Sequence, residues 1–214
     1  DTKQAIEWLA NCCMALVRSG DLLTLLGWRR QFPPELLRTQ PQVQLAVAWG
    51  LTLAMRFGDA EPLLNEIEET ANSTLASQKR SETLGECLAI HAVIVALQDD
   101  SLRASEIANL WHDRFNSGDT FTRNVMSNVM RYVHWKSGHL VGVYEQPWIA
   151  SSHDDEQHNA FSTVYRHTLL GNVELQKARL GLAERHAREA LRFAEMHAGT
   201  QSVSSALAAP LMAM

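Results

Sequence analysis

Ser19-Gly20-Asp21-Leu22 reads as the end of one helix and the start of the next. Glycine supplies the left-handed backbone that closes a helix, and an aspartate behind it offers a carboxylate to the first free N–H groups of a new one. Ahead of this stretch, Ala5, Ile6, Leu9, Cys12, Cys13, Leu16 and Val17 recur at helical spacing, which predicts a helix over 2–19. Behind it, a shorter helix runs until Phe32-Pro33-Pro34 stops it. The same kind of signal returns at Phe57-Gly58-Asp59-Ala60, Asp99-Asp100-Ser101-Leu102, Ser137-Gly138-His139-Leu140 and Leu180-Gly181-Leu182-Ala183. Positions 20, 58, 100, 138 and 181 lie 38, 42, 38 and 43 residues apart. Each interval holds two helices of about 15 residues and two short loops. The spacing therefore predicts a helical hairpin repeated about five times and stacked into one continuous curved array.

The remaining helices follow from pattern and punctuation. Pro41 suits the first turn of a helix over 41–57, apolar nearly all round from Val43 to Phe57, as a helix packed between neighbours must be. Further helices are expected near 59–72, 81–98, 101–117, 119–137, 139–150, 155–179 and 182–198, with a last one starting near 202. Over 182–198, Ala183, Ala187, Ala190, Leu191 and Ala194 form a small-residue face that lets a neighbouring helix approach closely. The opposite face carries Glu184 and Arg188 at the favourable i,i+4 spacing. Trp28 and Trp49, each with a leucine one turn earlier, read as core.

Composition supports an all-α chain and removes several alternatives. Of 214 residues, 28 are Leu and 26 are Ala, against only 11 Gly and 6 Pro. A sandwich or barrel needs many more turn residues between short alternating strands. No stretch approaches the roughly 18 uncharged apolar residues of a membrane span. A net charge of −5, with Arg29-Arg30 as the best basic cluster, argues against direct nucleic-acid contact. Cys12, Cys13 and Cys87 form neither a disulfide framework nor a C-x-x-C motif, which suits a reducing cytoplasm. The start at Asp1 without Met and the stop at Met214 inside an apolar run read as a single helical-repeat domain, 1–214, taken from a longer protein.

Phosphate-binding, dinucleotide-binding, metalloprotease and hydrolase signatures are missing from the sequence, and nothing nominates an enzyme. His153-Asp154-Asp155-Glu156-Gln157-His158 has two potential ligands, Asp154 and His158, four apart. It reads better as an acidic helix start behind Ser151 or Ser152, so no metal site is assigned. The helix at 119–137 mixes aromatic and polar groups: Arg131 and Trp135 are four apart, Arg131 and His134 three. On the concave side of a curved stack these residues would form a wall for a polar small molecule or peptide. Tyr165, Arg166 and His91 on neighbouring helices would extend it.

One stretch carries a family resemblance. Gly20-Asp21-Leu22, Leu25-Leu26, Trp28, Phe32-Pro33, Pro41, Leu45, Ala48-Trp49, Leu53, Gly58, Ala60 and Leu64 together resemble the tetratricopeptide-like repeat region of MalT-type activators, the ATP-dependent regulators of the LuxR group. Phe32 stands where that pattern usually has Leu. The resemblance covers about 45 residues, with agreement in turn spacing beyond them. It implies a tetratricopeptide-like superhelix that senses a small-molecule inducer or a regulatory protein and relays the signal to self-association and transcription activation. ATP would belong to a P-loop domain, and DNA to a helix-turn-helix, both outside these residues. The alternative is a stand-alone tetratricopeptide-like scaffold for protein partners.

Overall fold

The computed structural model describes residues 2–115, 119–149, 159–200 and 202–212. These residues form an all-α structure of twelve helices, with no strand among them. In chain order they are α1 (Thr2–Ser19), α2 (Leu22–Arg29), α3 (Pro34–Arg38), α4 (Pro41–Leu53), α5 (Phe57–Thr74) and α6 (Ser77–Leu97). There follow α7 (Ser101–Phe115), α8 (Thr120–Lys136), α9 (Leu140–Glu145), α10 (Ala160–Gln176), α11 (Leu180–Ala198) and α12 (Val203–Met212). The proline pair that stops α2 also starts the short α3, because Pro34 suits a first helical turn.

Five helices end in the same way. Gly20, Met55, Asp99, Gly138 and Ala178 all have positive φ, and they close α1, α4, α6, α8 and α10, whereas Gly199, also at positive φ, ends α11 with an extended ψ of 164°. At four of these ends the paired bonds of a Schellman turn are present. Asp21 N–H donates to Leu16 O at 2.9 Å, Arg56 N–H to Leu51 O at 2.8 Å, Asp100 N–H to Val95 O at 3.1 Å, and Arg179 N–H to Glu174 O at 2.8 Å. The turns thus fall at Met55 and Ala178, three residues before the glycines that the sequence offered at 58 and 181. Gly58 and Gly181 sit inside the first turns of α5 and α11 instead. This is why α4 stops at Leu53, short of the expected residue 57.

The helices that end in these turns form an inner set. α1 packs on α4, α4 on α6, α6 on α8, and α8 on α10, and α10 returns to touch α1. The intervening helices α5, α7 and α11 each bury one stripe, and α2 also packs on α1 and α4. In α4 every residue from Val43 to Leu53 is buried, the result of having neighbours on all sides. In α5 only Ala60, Leu64, Ile67 and Ala71 are buried, and in α7 only Ala104, Ala108 and Trp111. The small face of α11 is as expected: Ala183, Ala187, Ala190 and Ala194 are buried against neighbours, while Glu184 and Arg188 pair on the outside. Each leucine buried in the inner set contributes about 1.5–3 kcal/mol of hydrophobic stabilisation.

The tryptophans separate by layer. Trp49 is fully buried, meets Phe121 edge-on at 5.5 Å, and donates its indole N–H to Glu86 Oε1 at 2.8 Å. Trp111 donates to Gly85 O at 3.0 Å. Trp28 is only half-buried: it rests on the core with one side and on the exposed Trp8, 5.4 Å away, with the other. Its expected place as a core residue is therefore half right.

Candidate functional site

Arg131 does not stand on an open wall. It is 1% exposed, on the inner helix α8. Its guanidinium donates to Asn128 Oδ1 at 3.1 Å, Gln146 O at 2.6 Å and Pro147 O at 3.2 Å. One turn apart on the same stripe, Asn124 exchanges two 3.0 Å bonds with the backbone of Ile149, and Asn128 donates to Ser162 O at 2.8 Å. This polar stripe fastens the irregular segment 146–149 and α10 to α8. Backbone carbonyls outside regular structure need donors, and Arg131 supplies them to Gln146 and Pro147. Trp148 then lies under two guanidinium groups, 5.6 Å from Arg131 and 4.9 Å from Arg166. Burial, and then the nearby Arg166, push the Arg131 pKa down to about 10.

The other expected wall residues are dispersed. Trp135 donates to Gln176 Oε1 at 3.1 Å, and His134 faces His139 with their Nδ1 atoms 3.2 Å apart. Burial first, and His139 second, hold the His134 pKa below its usual range. His91 pairs with Glu68 at 3.3 Å, on the α5 side of α6. Of the six residues singled out in the sequence, Arg131 and Arg166 share a contact, through Trp148. The His153–His158 stretch lies outside the described residues. Among the described residues, no group of three or more His, Cys, Asp or Glu is placed to hold a metal ion. No helix among them is long and apolar enough to cross a membrane.

Tyr165 occupies a different place. It borders a partly open cavity of about 80 Å³ lined by α4, α6, α8 and α10, whose walls include Leu53, Val93, Val125, Val129 and Phe161. The polar groups beside it are mostly occupied. Tyr132 donates to Asp99 Oδ1 at 2.7 Å, and Asn128 is bonded on both sides of its amide. The Tyr165 hydroxyl has no hydrogen-bond partner among the described residues, and burial alone pushes its pKa up to about 12. Tyr165 and Leu53 also border a second cavity of about 590 Å³ between α2, α4, α10 and α12. Leu26, Val203 and Leu207 line its apolar part, and Arg30 and Arg56 stand exposed at its rim. Arg56 is bonded to Asp59 at 2.9 Å, whereas Arg30 has no acidic partner among the described residues. The two cavities together offer an apolar interior, the Tyr165 side chain shared between their walls, and two arginines at the outer rim.

Sequence reasoning picked out Tyr165 for its aromatic ring but placed it with the wrong neighbours. Leu53, Val93 and Val125 carry no signal that distinguishes a cavity wall from ordinary core. Comparison with known protein families, curated proteins and solved structures finds no match for this chain.

Proposed function

We propose that this chain is the signal-sensing domain of a MalT-like, LuxR-group transcriptional regulator, built as a tetratricopeptide-like stack of about five helical hairpins. It takes a small inducer, or a regulatory protein, and couples that event to self-association and activation of transcription in the cytoplasm. The domain itself makes no chemical change, needs no cofactor and touches no nucleic acid; ATP belongs to a separate P-loop domain. Support for the stack comes from the positive-φ ends at Gly20, Met55, Asp99, Gly138 and Ala178 and from the sequential packing of the helices they close.

One observation carries the sensing reading. The cavity beside Tyr165 is walled by α4, α6, α8 and α10, the first helices of four successive hairpins. An occupant touches four repeating units at once, so its binding energy bears on how those units pack. It shifts the domain between two packings by its difference in affinity for them.

The reading frame that encodes the chain provides the test. A P-loop domain upstream and a helix-turn-helix downstream are expected, and a frame that closes on both sides without either one overturns the regulator reading. The stand-alone scaffold is favoured by a separate observation. Trp8, 60% exposed on α1, lies beside the half-buried Trp28 of α2, an apolar surface suited to a protein partner.

A further inference from the structure

We infer that the two cavities flanking Tyr165 form one binding site for a single-chain amphiphile with an anionic head, of the class of a medium-chain carboxylate. This rests on the ligand-binding half of the reading above and not on its link to transcription.

The argument begins with shape and polarity. The inner cavity, about 80 Å³, is walled by aliphatic and aromatic side chains from four helices. It is narrow and apolar, which suits a hydrocarbon segment and not a sugar or a nucleotide, whose hydroxyls would lose their hydrogen bonds there. The outer cavity, about 590 Å³, is wider and ends among charged groups. Leu53 and Tyr165 belong to the walls of both, so the two spaces lie side by side along these residues.

Charge selects the head group. Among the described residues, those lining the outer cavity include two arginines and no acidic residue. Arg56 already shares Asp59, but Arg30, at the end of α2, has no carboxylate of its own among the described residues. An anion at this rim gains an electrostatic partner without displacing one. Tyr165, half-buried and part of both walls, offers its hydroxyl as a donor to a carbonyl or carboxylate oxygen of the occupant. An apolar chain with an anionic end meets all three conditions, whereas a neutral hydrocarbon leaves Arg30 and Tyr165 unused.

The probes are decanoate and decanol, titrated calorimetrically into the whole chain below their aggregation concentrations. Decanoate is expected to bind saturably at one site, about fivefold or more tightly than decanol. Arg30→Gln, on an exposed side chain, is expected to weaken decanoate by about fivefold and to leave decanol within about twofold. Leu53→Trp fills the junction and is expected to abolish binding of both. Ala206→Trp, on the exposed side of the outer cavity, tests the same obstruction without disturbing the core and guards against a folding defect in the Leu53 variant. Absence of saturable decanoate binding up to about 5 mM, equal affinity for the two probes, or binding unchanged in Ala206→Trp would each overturn the inference. If decanoate fails while the reading frame carries the P-loop and helix-turn-helix, only the ligand class is lost. If decanoate binds and the frame lacks both, only the regulator reading is lost.

Discussion

Gly20 and Ser204 bring the first helix pair against the last helix: a β-carbon built on Gly20 stands 2.3 Å from Ser204 Oγ and 2.9 Å from Phe161 Cδ2. The residue is glycine for two reasons, its φ of +88° and the absence of space. Gly138, with φ +77°, has nothing within 4 Å and is glycine for the first reason alone. Gly138→Ala is therefore expected to cost about 1 kcal/mol, the strain of a left-handed alanine. Gly20→Ala is expected to cost about 3 kcal/mol, because α10 must also give way. Urea denaturation of the two variants checks this, and equal losses would remove the contact between α1 and α10 from the account.

The Trp49–Glu86 bond crosses from α4 to α6. Burial holds the Glu86 pKa above the usual carboxylate range, and the indole N–H opposes that shift. Trp49→Phe leaves the carboxyl buried without its donor, and a loss of about 2–4 kcal/mol is expected. Adding Glu86→Leu to Trp49→Phe should recover part of it, since both polar partners are then gone. A double-mutant cycle by denaturation measures the coupling, and additive losses would show that the bond contributes nothing.

Arg131 holds carbonyls, and its replacement should be felt in stability. Arg131→Met leaves Gln146 O and Pro147 O without their donor, at an expected cost of about 3 kcal/mol. Arg131→Lys should restore less than half of that, because an ammonium lacks the planar fork that reaches Asn128 and both carbonyls together. Thermal unfolding gives the values. A fully stable Arg131→Met would return this residue to the ligand wall proposed from the sequence.

His167 and His186 face each other across α10 and α11, their Nδ1 atoms 3.0 Å apart. One ring donates to the other, so the bonded pair holds at most one added proton. Burial first, then His186 and Arg166, hold the His167 pKa down to about 4, with Glu189 and Arg192 also facing it. An unfolded histidine titrates near 6.5. Between these values the unfolded chain takes up a proton that the folded chain refuses. Stability is thus full above about pH 6.5 and falls as the pH drops toward about 4. His167→Phe, stacked near Phe193, should flatten that slope, which denaturation midpoints across this range would reveal. An unaltered slope would exclude the pair as its source.

The hairpin rhythm was legible because helix ends are local: Gly20, the Asp99-Asp100 pair and Gly138 announce themselves in sequence. Met55 and Ala178 do not, since neither residue favours a left-handed backbone; the packing of the flanking helices imposes it. The α11 stripe was equally legible from its alanine spacing. The site was not. Arginine is ordinarily exposed, and nothing in sequence says that Arg131 meets the carbonyls of a segment 15 residues away. The cavity depends on the separation of four helices, a tertiary quantity to which Leu53, Val93 and Val125 contribute as ordinary core positions and Tyr165 as a half-buried one.

Methyl NMR of the chain labelled at Leu and Val, titrated with decanoate, tests most directly whether the inner helices enclose a ligand site. The account predicts that the methyls of Leu53, Val93, Val125 and Val129 shift together and saturate at one equivalent. Leu102 and Leu180, 80% and 67% exposed on the outer helices, should stay where they are. Shifts confined to such surface leucines, or no shift at the four inner residues, would contradict it.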